Sequence, residues 1–221
     1  MHLGGEDIFN EIKQRLSERG YSCTTNSEKE IVRDVKERMC YAALEYDKEL
    51  RSAQESPQSV EKIYELPDAK MLEVGVDRFR CVERLFRPSM FLCEAPGVHE
   101  SLHSSIMRCD SELHRALFGN VVLAGGNTMF PGLVERVQKE LGALAPAGLA
   151  VKVSAPPGFE RKYSAWHGGS VLSSLSTFRS MCLTRELYEE HGPELAHRWF
   201  WPYSGDRKVH HWYDFSMISC R

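Results

Sequence analysis

Residues 120–132 read NVVLAGGNTMFPG, the stretch of this chain best suited to chemistry. Four apolar, strand-forming residues (Val121, Val122, Leu123, Ala124) run into Gly125-Gly126, and a helix is predicted to begin between Met129 and Leu133. Paired glycines let the backbone turn sharply and let a ligand approach bare amides. A helix starting behind them would add unpaired N–H groups and a partial positive charge at the same spot. That arrangement suits a nucleotide. The same strand–glycine–helix pattern also serves as a tight packing turn, so alone it does not decide.

Other chemistry-bearing residues are less organised. His99 and His103 sit four apart on a predicted helix, the spacing of a metal pair, yet no third or fourth ligand stands at a suitable distance in sequence. The same holds for His210-His211, so no metal site is expected. The seven cysteines (23, 40, 81, 93, 109, 182, 220) are scattered and form no C-x-x-C pair. Neither a disulfide framework nor a zinc ribbon is indicated, and reduced thiols suit a cytosolic or nuclear protein.

The elements that must position these residues follow from periodicity and capping. Ile8, Ile12 and Leu16 predict a helix over 7–19, ended by Gly20. Ser27 with Glu30 reads as a capping box opening a helix from Glu28 to about Leu50, with Val32, Val35, Met39, Ala43 and Tyr46 as its buried stripe. Residues 51–59 read as a polar loop. Short strands are expected at 63–66 and 71–75 around a Pro67-Asp68 turn, with EVGVDRF extending the β-region. Helices follow at 98–109 and 111–118, then the glycine turn and a helix to about Leu144. A second strand covers 151–153 and is closed by Pro156-Pro157. Gly168-Gly169 is expected to open an apolar helix with Val171, Leu172, Leu175 and Phe178. Thr184 caps a short helix that stops at Gly192-Pro193.

With 221 residues, 42% hydrophobic and 27% charged, the chain has the composition of a globular protein with a real core. A net charge of −3 gives no basic face for nucleic acid. No apolar run approaches the ~20 residues that span a bilayer. The opening MHLGGEDIFNEIKQ lacks the apolar core of a secretory signal.

Longer motifs carry a resemblance. ERGYSCTTNSEKEIVRDVKERMCYAALEYDKEL, YELPD, DRFRCVERLFRPS, GVHESLHSSIMRCD, GGNTMFPG, APPGFERKYSAWHGGSVLSSLSTF and LYEEHGPELAHR are collinear with, and closely similar to, segments of actins. They span residues 3–198. The resemblance implies an α/β chain equivalent to the C-terminal half of the actin-like ATPase fold. Residues 1–92 would form a subdomain-4-like lobe and 93–163 most of subdomain 3. Residues 164–198 would give the C-terminal part of subdomain 1, and 199–221 a divergent aromatic tail. The actin N-terminal half, with both phosphate loops and the catalytic glutamine, has no counterpart ahead of Leu3.

The resemblance also implies a set of nucleotide contacts. Gly125, Gly126, Asn127, Met129 and Phe130 match the adenosine loop, with Asn127 for the usual threonine and Phe130 for the usual tyrosine. Lys36 and Glu37 match an adenine- and ribose-contacting pair, and Lys162 a lysine near the adenine. Read without it, these charges are a solvated helix face and a surface lysine. No catalytic residue is expected and no cofactor is required. ATP or ADP would bind weakly, through adenosine contacts alone, at micromolar to millimolar level or about 4–8 kcal/mol. Leu172, Leu175, Thr177 and Met181 match one wall of the cleft that receives actin-binding proteins, and Met90-Phe91-Leu92 the hydrophobic plug between filament subunits. Actin or actin-binding proteins are the partners this implies, with the tail as a further anchor; nucleic acid and membrane are not. The resulting expectation is a truncated, non-enzymatic, cytoplasmic and cytoskeletal protein, with a residual nucleotide-binding module, or a chain that folds only with a partner, as alternatives.

Overall fold

Ile8, Phe9, Ile12 and Leu16 fall on one side of a helix, and all four are buried in α1 (Gly5–Glu18). The Gly4 amide donates to Asp7 Oδ2 at 2.8 Å to start it, and Gly20, at φ +88°, lets the chain turn away. The computed structural model describes residues 4–200, and contacts divide the chain into two units, Met1–His167 and Gly168–Arg221.

In the first unit, α2 (Asn26–Met39) is capped one frame earlier than expected. Thr25, not Ser27, is the N-cap: its hydroxyl accepts from the Glu28 amide at 3.2 Å. The Glu28 carboxylate accepts in turn from the amides of Thr24 and Thr25 at 2.9 and 2.8 Å. Ser/Thr-x-x-Glu occurs in both frames, and the frame that satisfies more orphan amides wins.

The single long helix expected to reach Leu50 is two, because α2 stops at Met39 and α3 runs over Tyr46–Glu55. Residues 40–45 leave the helix because their backbone bonds go elsewhere. Tyr41 N–H donates to Arg78 O at 3.1 Å and Ala42 N–H to Pro131 O at 2.8 Å. Part of the expected loop 51–59 is therefore helical, with Ala53 buried and a 3-10 turn over Pro57–Ser59.

The hairpin β1 (Lys62–Glu65) and β2 (Met71–Val74) pairs antiparallel from Lys62↔Val74 to Glu65↔Met71. The β-region does not continue through EVGVDRF: α4 occupies Asp77–Glu83. Phe79, Cys81 and Val82 are fully buried, and the two charged residues just ahead of them, Asp77 and Arg78, are buried as well, each tied to a partner. Asp77 takes Arg19 Nη2 at 2.5 Å, Arg78 Nε donates to Met39 O at 2.9 Å, and Arg78 Nη1 donates to Val60 O. A helix buried all round shows no amphipathic period, which explains the misreading.

After a 3-10 turn over Pro88–Phe91 come α5 (Val98–Met107), α6 (Ser111–Phe118), β3 (Val121–Val122), α7 (Leu133–Leu144) and β4 (Val153–Ser154). β3 and β4 pair in parallel, with α7 as the crossover, so the first unit is mixed α/β with two small sheets. One apolar cluster runs from Ile8, Val35 and Leu72 through Phe86 and Phe118 to Phe130, Val137, Leu141 and Val153.

Gly168-Gly169 does not open a helix. Both glycines lie inside α8 (Gly158–Ser174), which starts just after Pro156-Pro157 and is kinked at Tyr163, φ −114° and ψ 15°. Helix interiors tolerate glycine at about 1 kcal/mol each, so a glycine pair need not mark an end. In the second unit, α9 (Phe178–Met181) is followed by α10 (Arg185–His191), which Thr184 caps by accepting from Leu187 N–H at 3.3 Å. Gly192, at φ +70°, separates α10 from α11 (Pro193–Phe200). Most of the expected aromatic tail, residues 201–221, lies outside the described residues. Among the described residues, no helix is long and apolar enough to cross a membrane.

The polar centre of the first unit is Arg136 with Glu83, 2% and 1% exposed. The guanidinium gives the carboxylate two bonds at 2.9 and 3.0 Å, reaches Ala43 O at 2.5 Å and Glu140 at 2.6 Å, and lies 4.7 Å from the Phe86 ring centroid. Burial pushes the Glu83 carboxyl above its ordinary range despite the guanidinium. Removing Arg136 leaves the buried Glu83 carboxylate with only the half-exposed Arg87 at 3.3 Å as a counter-charge. Arg136→Met should lower stability by about 3–5 kcal/mol in chemical denaturation, and the double variant Arg136→Met/Glu83→Leu should recover much of that loss. Acid acts on a different element. Glu28, drawn down to about 2 by the Thr25 amide first and then by neighbouring hydroxyls, supports the α2 N-terminus in full above its ordinary value near 4.5. That support fades as pH falls through 2. The protection of the Thr24 and Thr25 amides, taken relative to intrinsic exchange at each pH, should fall over this range, and a Glu28→Gln chain should lack that pH dependence.

Candidate functional site

Four segments far apart in sequence converge at the glycine turn, all of them in the first unit. Gly125 has φ +93° and ψ 161°, a conformation open to glycine and strained for other residues. No atom outside the neighbouring residues lies within 4 Å of where a side chain would begin at Gly125 or Gly126, so that surface of the turn is bare. A 3-10 turn over Gly126–Thr128 follows, and the long helix starts at Leu133, within the expected 129–133.

The surroundings of that helix start correct the expected origin of the anion-binding character. α7 begins at Leu133, and its N-cap Gly132 abuts the backbone carbonyl of Ala42, leaving no room there even for a Cβ. The helix terminus is packed against the 40–45 segment, where Ala42 N–H also donates to Pro131 O. The turn's own amides are what remain. Thr128 N–H donates to Gly125 O at 3.0 Å, Met129 N–H to Gly126 O at 3.2 Å, and Gly125 N–H to Arg161 O at 2.7 Å. The amides of Gly126 and Asn127 are not used by the turn.

Around it stand the predicted side chains. Asn127 reaches back to the start of α1, where its amide group fills the space a Gly5 side chain would need. Lys36 Nζ, from α2, donates to the same residue's carbonyl at 3.4 Å. One residue further, Glu37 faces Lys162 of α8 across 3.8 Å, with both side chains about half exposed. Met129 is 38% exposed beside the turn. The structure thus brings Lys36, Glu37, Gly125, Gly126, Asn127, Met129 and Lys162 into one region, through Gly5 and Arg161.

Phe130 departs from the expectation. Its ring is 6% exposed and belongs to the apolar core with Leu133 and Val137, so it holds the turn from beneath and offers no stacking surface. Gly5, Thr128 and Arg161 were absent from the predicted set. Gly4-Gly5 ahead of an amphipathic helix was a usable signal, since a glycine pair there marks a close approach. Arg161 had none, because its guanidinium acts on backbone carbonyls that leave no sequence trace.

The metal candidates have other roles. His99 lies half-buried 5.9 Å from the Phe86 ring, and burial lowers its pKa. His103 rests 6.0 Å from Phe118. His210-His211 fall outside the described residues. Cys23, Cys40 and Cys81 are buried free thiols, and burial pushes Cys40 up to about 12, which makes it a poor nucleophile.

The expected partner surface lies in the second unit. Leu175 is 43% exposed, Thr177 is exposed, and Leu172 and Met181 are partly so. In the first unit, the 3-10 turn ends in Met90, half-exposed, and Leu92, fully exposed and left-handed at φ 57°.

Across residues 4–200, the full described span, the chain matches the family model described as Actin. The sharpest local constraint is the meeting of Gly5 with Asn127. At the first helical position alanine would ordinarily be neutral or better than glycine. Here Gly5→Ala should destabilise the chain by about 1 kcal/mol, whereas in an Asn127→Ala background it should be neutral or stabilising. A double-mutant cycle by chemical denaturation reads that coupling.

Proposed function

The chain belongs to the actin family, and on that premise we propose that its 221 residues act as a non-enzymatic actin-family module equivalent to the C-terminal half of the fold. That half comprises subdomain 4, most of subdomain 3 and the C-terminal part of subdomain 1. The observation that carries this reading is the composition of the convergent site. It offers two turn amides, two lysines and a glutamate already facing one of them. Such a set can hold the base and sugar of a nucleoside. Phosphoryl transfer calls further for side chains that position an attacking water and for a metal clamp on the transferring group, roles that this reading assigns to none of these residues.

Adenosine contacts alone then set the affinity for ATP or ADP, weak and indifferent to the phosphates. The partly exposed Leu172, Leu175, Thr177 and Met181 support a role in binding actin or actin-binding proteins, in the cytoplasm and at the cytoskeleton.

A second reading, a chain that completes its fold only with a partner, is favoured by one observation. β3 and β4 are a two-residue parallel pair with Val122 58% exposed, whereas parallel sheets are ordinarily covered on both faces.

Calorimetry with adenosine, ADP and ATP, each with and without Mg²⁺, separates these readings. The non-enzymatic module should bind all three in the micromolar to millimolar range, within a few-fold of one another and without dependence on Mg²⁺. Phosphate release should stay at the buffer rate. Sustained ATP turnover would overturn the non-enzymatic reading, and no saturation at millimolar ligand would remove the nucleotide site. A single cooperative thermal transition of the monomer would exclude the partner-dependent fold.

A further inference from the structure

We infer that Arg161 is the positioning residue of the adenosine site, the one that holds the Gly125–Met129 turn in its binding shape. The inference rests on the nucleoside reading above for what the turn binds, and on geometry alone for what Arg161 does. Three bonds link this residue to the turn and to the segment ahead of α8. Its carbonyl accepts from Gly125 N–H at 2.7 Å, fixing the entry to the turn. Its guanidinium donates to Thr128 O at 3.2 Å, fixing the exit, and to Pro156 O at 2.8 Å, anchoring both to the segment ahead of α8.

Inside the turn, Thr128 Oγ1 donates to Gly125 O at 2.7 Å, so entry and exit are also tied to each other. Gly125 at φ +93° would otherwise be free to leave this conformation, since glycine pays no steric penalty for alternatives. The two amides that the turn does not use belong to Gly126 and Asn127, between the clamped ends. Their direction is therefore set by Arg161, which itself need touch no ligand. Lys162, the next residue, carries the cation that faces Glu37. The same short stretch thus both shapes the turn and furnishes a side chain beside it.

A guanidinium can bridge two carbonyls because its donors are fixed in a planar fork, which an ammonium lacks. The test uses the full 221-residue chain as wild type, Arg161→Ala and Arg161→Lys, with adenosine as the probe. Hydrogen exchange is followed at Gly125, Thr128 and Met129, and adenosine binding by NMR titration. Positioning predicts faster exchange at these three amides in both variants, unchanged exchange within α7 and the β1–β2 hairpin, and adenosine affinity lowered roughly tenfold or more in both. Unchanged turn exchange in Arg161→Ala overturns the inference. So does full restoration of affinity and exchange by Arg161→Lys, which would reduce Arg161 to a charge. If Arg161→Ala does not fold, Arg161→Lys carries the same two readouts. A wild-type chain that binds no adenosine sinks the nucleoside reading, while the exchange comparison still decides whether Arg161 clamps the turn.

Discussion

The first unit is organised around a charge pair that water does not reach. Arg136 and Glu83 sit on helices α7 and α4, and the guanidinium also takes the Ala43 carbonyl from the segment between α2 and α3. One side chain thereby fixes three elements that have no sheet in common. Phe86 packs beneath the guanidinium, and Lys139, one turn along α7, adds a bond to Leu44 O at 3.1 Å. A buried ion pair of this kind contributes less to net stability than its Coulomb energy suggests, because both ions were desolvated. Its contribution is register. Arg136 finds the geometry it needs in one arrangement of α4, α7 and residues 40–45, and the glycine turn between β3 and α7 is carried into place with them.

The same segment, 40–45, marks where the sequence was legible and where it was not. Helices could be read where spacing or a cap marks them: α1, α6 and α10 fall within a residue or two of their expected bounds. The hairpin could be read from its Pro67-Asp68 turn. The break after Met39 could not, since apolar residues continue through Ala43 and Tyr46 at helical spacing. What ends α2 is a set of partners far along the chain, the Arg78 and Pro131 carbonyls. Helix α4 was missed for a related reason, three of its charged residues, Asp77, Arg78 and Glu83, being buried against partners rather than displayed to solvent. Periodicity reports a boundary between protein and water, and neither place has one.

At the site, residue identities were legible but their roles were less so. Lys36 bonds to Gly5, which Asn127 of the turn also approaches, and Glu37 faces Lys162, the neighbour of Arg161. Phe130 faces inward, because a ring at the foot of a turn is drawn to the core whenever the core has room. The helix terminus supposed to supply positive potential abuts the Ala42 carbonyl at Gly132. Both corrections move the site's chemistry from a helix dipole to two backbone amides, a smaller and more local source of attraction for a ligand.

The contact of Asn127 with the backbone of Gly5 joins the start of the first unit to a turn near its far end. Between them the chain must complete α1 to α6, both strands of the hairpin and β3. Closing so long a loop is slow, and nothing local can nucleate it. The site is consequently late to assemble during folding and open to early loss when either end of the unit frays. Any molecule that settles there binds only chains that have finished folding, so its occupancy measures the completed population and its presence draws unfinished chains toward that state.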